Sequence, residues 1–98
     1  MAEPSEPVVE RNDDASRYEL LLDGEVRGVA EFHLEGDDRV VFTHTEMDRA
    51  LRGKGLSPVL VARALDDVRV SGRRAVSRCS YVSEFAREHP EYADLFGS

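Results

Sequence analysis

A basic, glycine-rich turn occupies residues 52–55 (Arg-Gly-Lys-Gly), between a run typical of a β-strand and a run typical of a helix. The two glycines free the backbone to bend and to expose its N–H groups. Ser57 is a good N-cap and Pro58 a good first helical residue, and the N-terminus of a helix attracts phosphate. The turn therefore indicates a site for a phosphorylated ligand, helped by the positive charges of Arg52 and Lys54. The alternative is an ordinary strand-to-helix turn with solvated basic residues.

Three other side chains have the chemistry to move protons or acyl groups. His44 and Glu46 are two residues apart on a predicted strand, so they share one face and are both candidate bases. Cys79, the single cysteine, lies where a strand is expected to meet a helix N-terminus, which stabilises a thiolate, and a nearby His44 would add to that effect. It is a candidate acid or nucleophile. The alternatives are a core histidine, a solvated glutamate and a small buried thiol.

The strands that position these residues are rich in β-branched and apolar side chains. The Asp23-Gly24 pair predicts a tight hairpin between the first two, so the first three strands should form an antiparallel meander. The fourth should run parallel to the third across a right-handed helical crossover. The predicted strands are residues 17–23, 25–34, 39–47 and 74–80.

Two helices complete this mixed α/β (α+β) pattern. Apolar residues recur at helical spacing over residues 57–71 and predict a face that packs on the sheet, namely Leu60, Val61, Ala64, Leu65 and Val68. Gly72 should end this helix. A second helix is expected over residues 81–89 with Ser80 as its N-cap, followed by a stop at Pro90 and a helical turn over 91–96. Ligands of open α/β sheets bind where neighbouring parallel strands end, which is the edge that carries these candidate residues.

Composition limits the classes of function. The net charge of −7 over 98 residues makes the chain a poor nucleic-acid binder, and no apolar run reaches the ~20 residues of a membrane helix. One cysteine permits no intramolecular disulfide and no metal cluster is expected, so we expect a cytoplasmic protein. Residues 1–16 hold five acids against one arginine and predict a flexible acidic tail before a domain at 17–98.

Four short motifs in order resemble the GNAT superfamily of acyl-CoA-dependent N-acetyltransferases, and in particular its small, single-domain YjdJ-type branch. Arg52, Gly55 and Ser57 fall on the superfamily's R-x-x-G-x-G/A loop, with serine where glycine or alanine is usual. The resemblance covers about residues 18–95. The motifs are Thr43-His44-Thr45-Glu46-Met47, Arg52-Gly53-Lys54-Gly55-Leu56, Cys79-Ser80-Tyr81-Val82 and His89-Pro90-Glu91-Tyr92.

The resemblance implies a minimal GNAT-like fold that binds acetyl-CoA or CoA. The pyrophosphate would rest on backbone N–H groups of residues 52–57, helped by Lys54, and the pantetheine arm would lie between the splayed third and fourth strands. Tyr81 is a further possible acid. The implied cofactor-binding residues are Thr45, Met47, Arg52, Gly53, Lys54, Gly55, Leu56, Ser57, Ser80 and Tyr81.

The implied activity is transfer of acetyl from acetyl-CoA to an amine of unknown identity, with Cys79, His44 and Glu46 as catalytic candidates. Two alternatives remain open, a CoA-binding module with little catalysis and an interaction domain without cofactor. The acceptor is a small molecule or a protein. No metal, nucleic acid or membrane is expected, and a monomer is compatible with the sequence.

Overall fold

The computed structural model of the protein describes residues 6–96, in which one five-stranded sheet follows the order of the sequence. Neighbouring strands are antiparallel except the last pair, in which β5 runs parallel to β4. The strands are β1 (Val8–Asn12), β2 (Arg17–Leu22), β3 (Glu25–Glu35), β4 (Arg39–Met47) and β5 (Arg74–Ser77). The helices are α1 (Leu56–Val70), α2 (Ser80–Glu88) and α3 (Ala93–Phe96), with short 3-10 turns at Arg49–Leu51 and Pro90–Tyr92.

The prediction of four strands is wrong, because Val8–Asn12 adds a strand from within the segment expected to be a flexible tail. This strand pairs with β2 from Val8 opposite Leu21 to Asn12 opposite Arg17. The acidic composition of this segment does not predict its main-chain hydrogen bonds to β2. Side chains add to them, since Arg11 forms a 3.0 Å ion pair with Asp67 of α1. Residues 1–5 of the predicted tail lie outside the described residues.

The core lies between one face of the sheet and the helices. Tyr18, Phe32 and Phe42 form an aromatic group on three adjacent strands, with ring centroids 5.2 to 6.4 Å apart. The helical period predicted for α1 is confirmed, since all five residues predicted to face the sheet are buried. Val82 and Phe85 of α2 join the same core. Within residues 6–96, no helix is long and apolar enough to cross a membrane.

The first residue of α1 differs from the prediction. The N-cap is Gly55, with φ of 76° and no capping side chain, so Ser57 and Pro58 lie inside the first turn. The left-handed conformation at Gly55 turns the chain into the helix two residues early, and only glycine adopts it at low cost. The predicted end at Gly72 is confirmed, since its N–H donates to the Arg69 carbonyl in a left-handed C-terminal turn.

The parallel pairing of β4 with β5 is short. It spans only Arg39 to Phe42 of β4, and the last bond runs from the Arg78 N–H to the Phe42 carbonyl at 2.8 Å. The predicted strand over 74–80 therefore ends early, at Ser77, because Cys79 becomes the N-cap of α2. Beyond Phe42, residues 44–47 of β4 pair with β3 alone among the described residues, and Thr43 is the extra residue at a register shift. One edge of β4 is thus open where the candidate site was expected.

Because of the Tyr92 phenol, we expect the free energy of unfolding to depend on pH in the alkaline range. Burial, and donation of its hydroxyl proton to Asp66 at 2.8 Å, raise the pKa of Tyr92 from 10.0 to about 12. Because the folded state holds this proton more tightly than the unfolded chain, the stabilisation is complete below pH 10 and is lost as the pH rises through about 12. We expect the free energy of unfolding in urea to fall over this interval, and to fall less steeply in Tyr92→Phe. Equal slopes would contradict the assignment.

Candidate active site

A cavity of about 430 Å³, here called the β4 cavity, lies between the open end of β4 and the helices. Thr45 and Met47 border it from the strand, Ser57 and Leu60 from α1, and Tyr81 from α2. Because no strand within residues 6–96 pairs with residues 43–47 on this edge, their outward main-chain groups are available to pair with an extended ligand. Thr45 and Met47 thus border a cavity, and their contact with a pantetheine arm stays a prediction.

A second cavity of about 320 Å³, the glycine cavity, continues from the first and shares Ser57 and Tyr81 with it. Gly53 and Gly55 border it, and both have positive φ, 80° and 76°. Leu56 also borders it and opens the first turn of α1, where N–H groups have no intrahelical partner. Gly55 supplies no side-chain cap to satisfy them. The arrangement suits an anion such as a phosphate.

Not every N–H of the predicted phosphate loop is available. Arg52 donates its N–H to the Arg49 carbonyl, and Lys54 donates its N–H to the Leu51 carbonyl, both within the turn. This leaves the main-chain N–H groups of Gly53, Gly55 and the first two residues of α1, Leu56 and Ser57, as candidate donors. The Lys54 side chain borders neither cavity, whereas Arg52 borders the β4 cavity and not the glycine cavity.

His44 and Glu46 lie on one face of β4, as their spacing predicts. Their side chains are 55% and 66% exposed, and His44 Nε2 is 3.9 Å from Glu46 Oε1. Both border the open end of the strand. The expected approach of His44 to Cys79 is wrong, because alternation along β4 directs Thr45, and not His44, toward the cysteine.

Cys79 is buried and forms the N-cap of α2 without a side-chain capping bond. Its Sγ lies 3.5 Å from the Thr45 hydroxyl oxygen. The adjacent Ser77 hydroxyl donates to the Cys79 carbonyl at 2.9 Å and fixes the turn that leads into α2. Cys79 borders neither of the two cavities. The Thr45 side chain therefore lies between the Cys79 thiol and the open edge of β4.

Tyr81 occupies the junction of the two cavities on the first turn of α2. Burial, with smaller contributions from Glu88 and Glu84, raises the pKa of its phenol above the ordinary value of 10.0. The side chain therefore carries its proton at neutral pH. Ser80, also predicted to bind cofactor, is exposed and borders neither cavity.

A third cavity of about 390 Å³, the outer cavity, has no counterpart in the sequence-based prediction. Arg27, Asp48 and Arg49 border it. Arg27 Nε lies 2.8 Å from Asp48 Oδ2, and a hydrogen bond from the Ala50 N–H, with this ion pair, lowers the pKa of Asp48. An aspartate that follows a strand is a recognisable capping signal. The Arg27–Asp48 contact has no such signal, because it depends on the register of β3 with β4.

Among residues 6–96, no group of three or more histidine, cysteine or acidic side chains is arranged to hold a metal ion. The groups that border the β4 cavity include the Tyr81 phenol and the His44–Glu46 pair, while the Cys79 thiol lies behind Thr45.

Comparison with known proteins identifies the class to which this fold and site belong. The model of the GCN5-related N-acetyltransferase family matches residues 17–95, and the chain belongs to this family. It is 32% identical over 83 residues to the protein NATD1 of Bos taurus, which covers 84% of this chain and 74% of that protein. It is 29% identical over 90 residues to NATD1 of Xenopus tropicalis, which covers 90% of this chain and 83% of that protein.

The fold has a solved counterpart. The solution structure of a GCN5-like protein from Staphylococcus aureus matches with a TM-score of 0.71, over 93% of this chain and 88% of that one. At 12% sequence identity this likeness shows the fold alone. The expected family and GNAT fold are confirmed, with five strands instead of four, while the narrower YjdJ-type branch stays a prediction. Family membership supports acetyltransferase activity without naming the acceptor.

The close packing of Met47 on Gly28, both of which border the outer cavity, can be tested by mutation. A Cβ at Gly28 would lie 2.6 Å from Met47 Cε and 2.9 Å from its sulfur, so Gly28→Ala must displace the Met47 side chain. Since the chain has only two methionines, methyl-labelled methionine gives an NMR signal for Met47 beside that of Met1. We expect the Met47 signal to move in Gly28→Ala.

Gly36→Ala is the control, because a Cβ there approaches no atom closer than 3.6 Å and the turn is remote from Met47. A Met47 methyl signal that is unchanged in Gly28→Ala would contradict the described packing.

Proposed function

We propose that this protein transfers an acetyl group from acetyl-CoA to an amine. One observation carries the proposal: the open edge of β4 leads directly to unbonded main-chain N–H groups at the start of α1. The first feature suits the amide-bearing pantetheine arm, and the second suits the pyrophosphate. The shared cavity border at Ser57 and Tyr81 makes the two features one continuous site.

Acetyl-CoA supplies an acetyl thioester, whose carbonyl carbon forms a bond to the amine nitrogen while its bond to sulfur breaks. The amine must first lose the proton of its ammonium form, and the departing thiolate must gain one. Glu46 with His44 lies at the end of β4, where a base can accept the first proton. Unpaired N–H groups of residues 43–47 are the candidates for stabilising the oxyanion.

Two side chains compete for the role of the acid. Tyr81 borders both cavities and is protonated at neutral pH, whereas Cys79 lies behind Thr45 without bordering either. On this geometry we assign proton donation to Tyr81 and keep Cys79, the sharper candidate from sequence, as the alternative. An acetyl-cysteine intermediate would require Cys79 to turn out of the core.

The two assignments of the acid predict loss of acetyl transfer in different variants. Tyr81→Phe should lower the rate of acetyl transfer by about 100-fold while CoA affinity changes little, because general acids contribute about this much. Cys79→Ala should keep most of the transfer rate. Rates and affinities come from thiol-release kinetics and calorimetry. The reverse pattern, with loss in Cys79→Ala and retention in Tyr81→Phe, would assign the acid or nucleophile to Cys79.

Calorimetric titration with CoA and acetyl-CoA tests the cofactor site itself. Gly55→Ala places a side chain on the left-handed N-cap of α1, which costs about 1–2 kcal/mol of stability and turns the phosphate-facing amides away. We expect CoA affinity to fall at least about ten-fold, as for loss of charge-assisted hydrogen bonds.

Gly24→Ala is the matched control. Gly24 has φ of 79°, and a Cβ there also meets nothing within 4 Å, but it lies in the β2–β3 turn. It should lose similar stability and keep CoA affinity. Equal CoA affinities in the two variants would contradict the placement of the pyrophosphate.

A CoA-binding module with little catalysis is the second candidate, and the burial of Cys79 behind Thr45 favours it. It shares the calorimetric result and differs in the transfer assay. Binding without acetyl loss to any amine would select it, whereas absence of CoA binding would remove both candidates.

A further inference from the structure

The outer cavity opens on the face of the sheet opposite the helices. Val29 is paired with Glu46 across β3 and β4, so their side chains lie on one face. Thr45, the neighbour of Glu46, lies on the other face, beside Cys79 of the helix layer. Ligands in the outer and β4 cavities are therefore separated by β4 itself.

The two cavities meet at the end of that strand. Glu46, Met47 and Arg52 border both of them. A group in the outer cavity can thus approach the β4 cavity at Glu46, the candidate base. Arg49 differs from these three, because it borders the outer cavity only.

Three arginines and two acids border the outer cavity, a formal charge of +3 − 2 = +1, although the whole chain has a net charge of −7. Asp48 neutralises Arg27 at 2.8 Å. Arg49 and Arg52 have no ion pair or side-chain hydrogen bond with any of residues 6–96. Within residues 6–96, Arg49 and Arg52 are therefore the unpaired guanidinium groups on the cavity border, and Glu46 is the carboxylate there that Arg27 does not pair with.

We infer that the acceptor is a small primary amine that also carries a carboxylate or sulfonate, bound in the outer cavity. The inference rests on the acetyltransferase function proposed above. Guanidinium groups bind such anions through paired hydrogen bonds, which assigns the anionic end to Arg49 and Arg52. The ammonium end then lies toward Glu46, which accepts its proton before the nitrogen bonds to the thioester carbon and the CoA thiolate leaves.

The size and lining of the cavity fit a short molecule. A volume of about 390 Å³ accommodates a small-molecule ligand. Val26 and Val29 provide apolar surface for an aliphatic spacer between the two charged ends. A cationic polyamine would instead place a second positive charge against Arg49 and Arg52.

A binding experiment without CoA tests the site independently of the transferase function. The full chain, labelled with ¹⁵N, is titrated with β-alanine and with its uncharged-carboxyl analogue β-alaninamide, and amide shifts at residues 26–29 and 48–49 are followed. We expect β-alanine to shift these signals, and Arg49→Gln to weaken its binding about ten-fold, the loss of one charge-assisted contact. Arg63→Gln, at an exposed arginine of α1 that borders none of the three cavities, should bind as the unmodified protein does.

Equal binding of β-alaninamide, unchanged binding in Arg49→Gln, or no shift at these residues would overturn the inference. The acetyl-transfer assay then separates the two claims. A preference for β-alanine or taurine over β-alaninamide that is lost in Arg49→Gln supports both. Acetylation of β-alaninamide or polyamines in preference to β-alanine overturns the acceptor class and leaves the transferase standing. Failure of CoA to bind removes the transferase, while the NMR titration still decides the anion site.

Discussion

The early end of the pairing between β4 and β5 is the constraint on which the candidate site depends. The two strands share four pairs of residues, and the chain then leaves the sheet at Cys79 to start α2. From His44 to Met47, β4 keeps its pairing with β3, and none of residues 6–96 pairs with it on the other side. A longer β5 would fill that edge and close the β4 cavity. Buried main-chain groups need partners, so an edge left open beside a cavity favours a ligand that supplies them.

A second constraint is a shift in the register between β3 and β4. The register shifts between Glu31 and Phe32, so that Phe42 packs in the core while His44 lies on the opposite face. Thr45 then returns to the helix side and meets Cys79 at 3.5 Å. The shift thus places the thiol and the histidine on different faces of one strand. It also makes Glu46 accessible from both the β4 cavity and the outer cavity.

Charged side chains are also distributed unevenly between the candidate site and the rest of the protein. Acidic side chains dominate the composition, and the ion pair of Arg11 with Asp67 ties β1 to α1 far from the candidate site. Around the end of β4 the balance reverses, since Arg49 and Arg52 are not neutralised by any residue of 6–96. Net charge alone does not reveal these two arginines, because local potential depends on which charges are paired at short range.

Much of the fold could be predicted from local patterns. The period of α1 identified its buried face, Gly72 marked its end, and the Asp23-Gly24 pair marked the first hairpin. These features depend on interactions within a few residues of one another, and the sequence displays them directly. The strand Val8–Asn12 was not predicted, because it forms by main-chain pairing with β2. Amino-acid composition does not predict such pairing. The N-cap shifted to Gly55 because a left-handed glycine competes with serine for that role.

The sequence by itself determined the type of fold, its family and the glycine turn that precedes α1, because each is written in periodicity, turn chemistry or short motifs. Only the tertiary structure decided which candidates meet. It separated His44 from Cys79, brought Tyr81 to the junction of two cavities, and paired Arg27 with Asp48 while leaving Arg49 without an ion pair among residues 6–96. These outcomes depend on strand register and on where β5 ends. Both are set by packing between residues distant in the chain, which a local reading of the sequence does not contain.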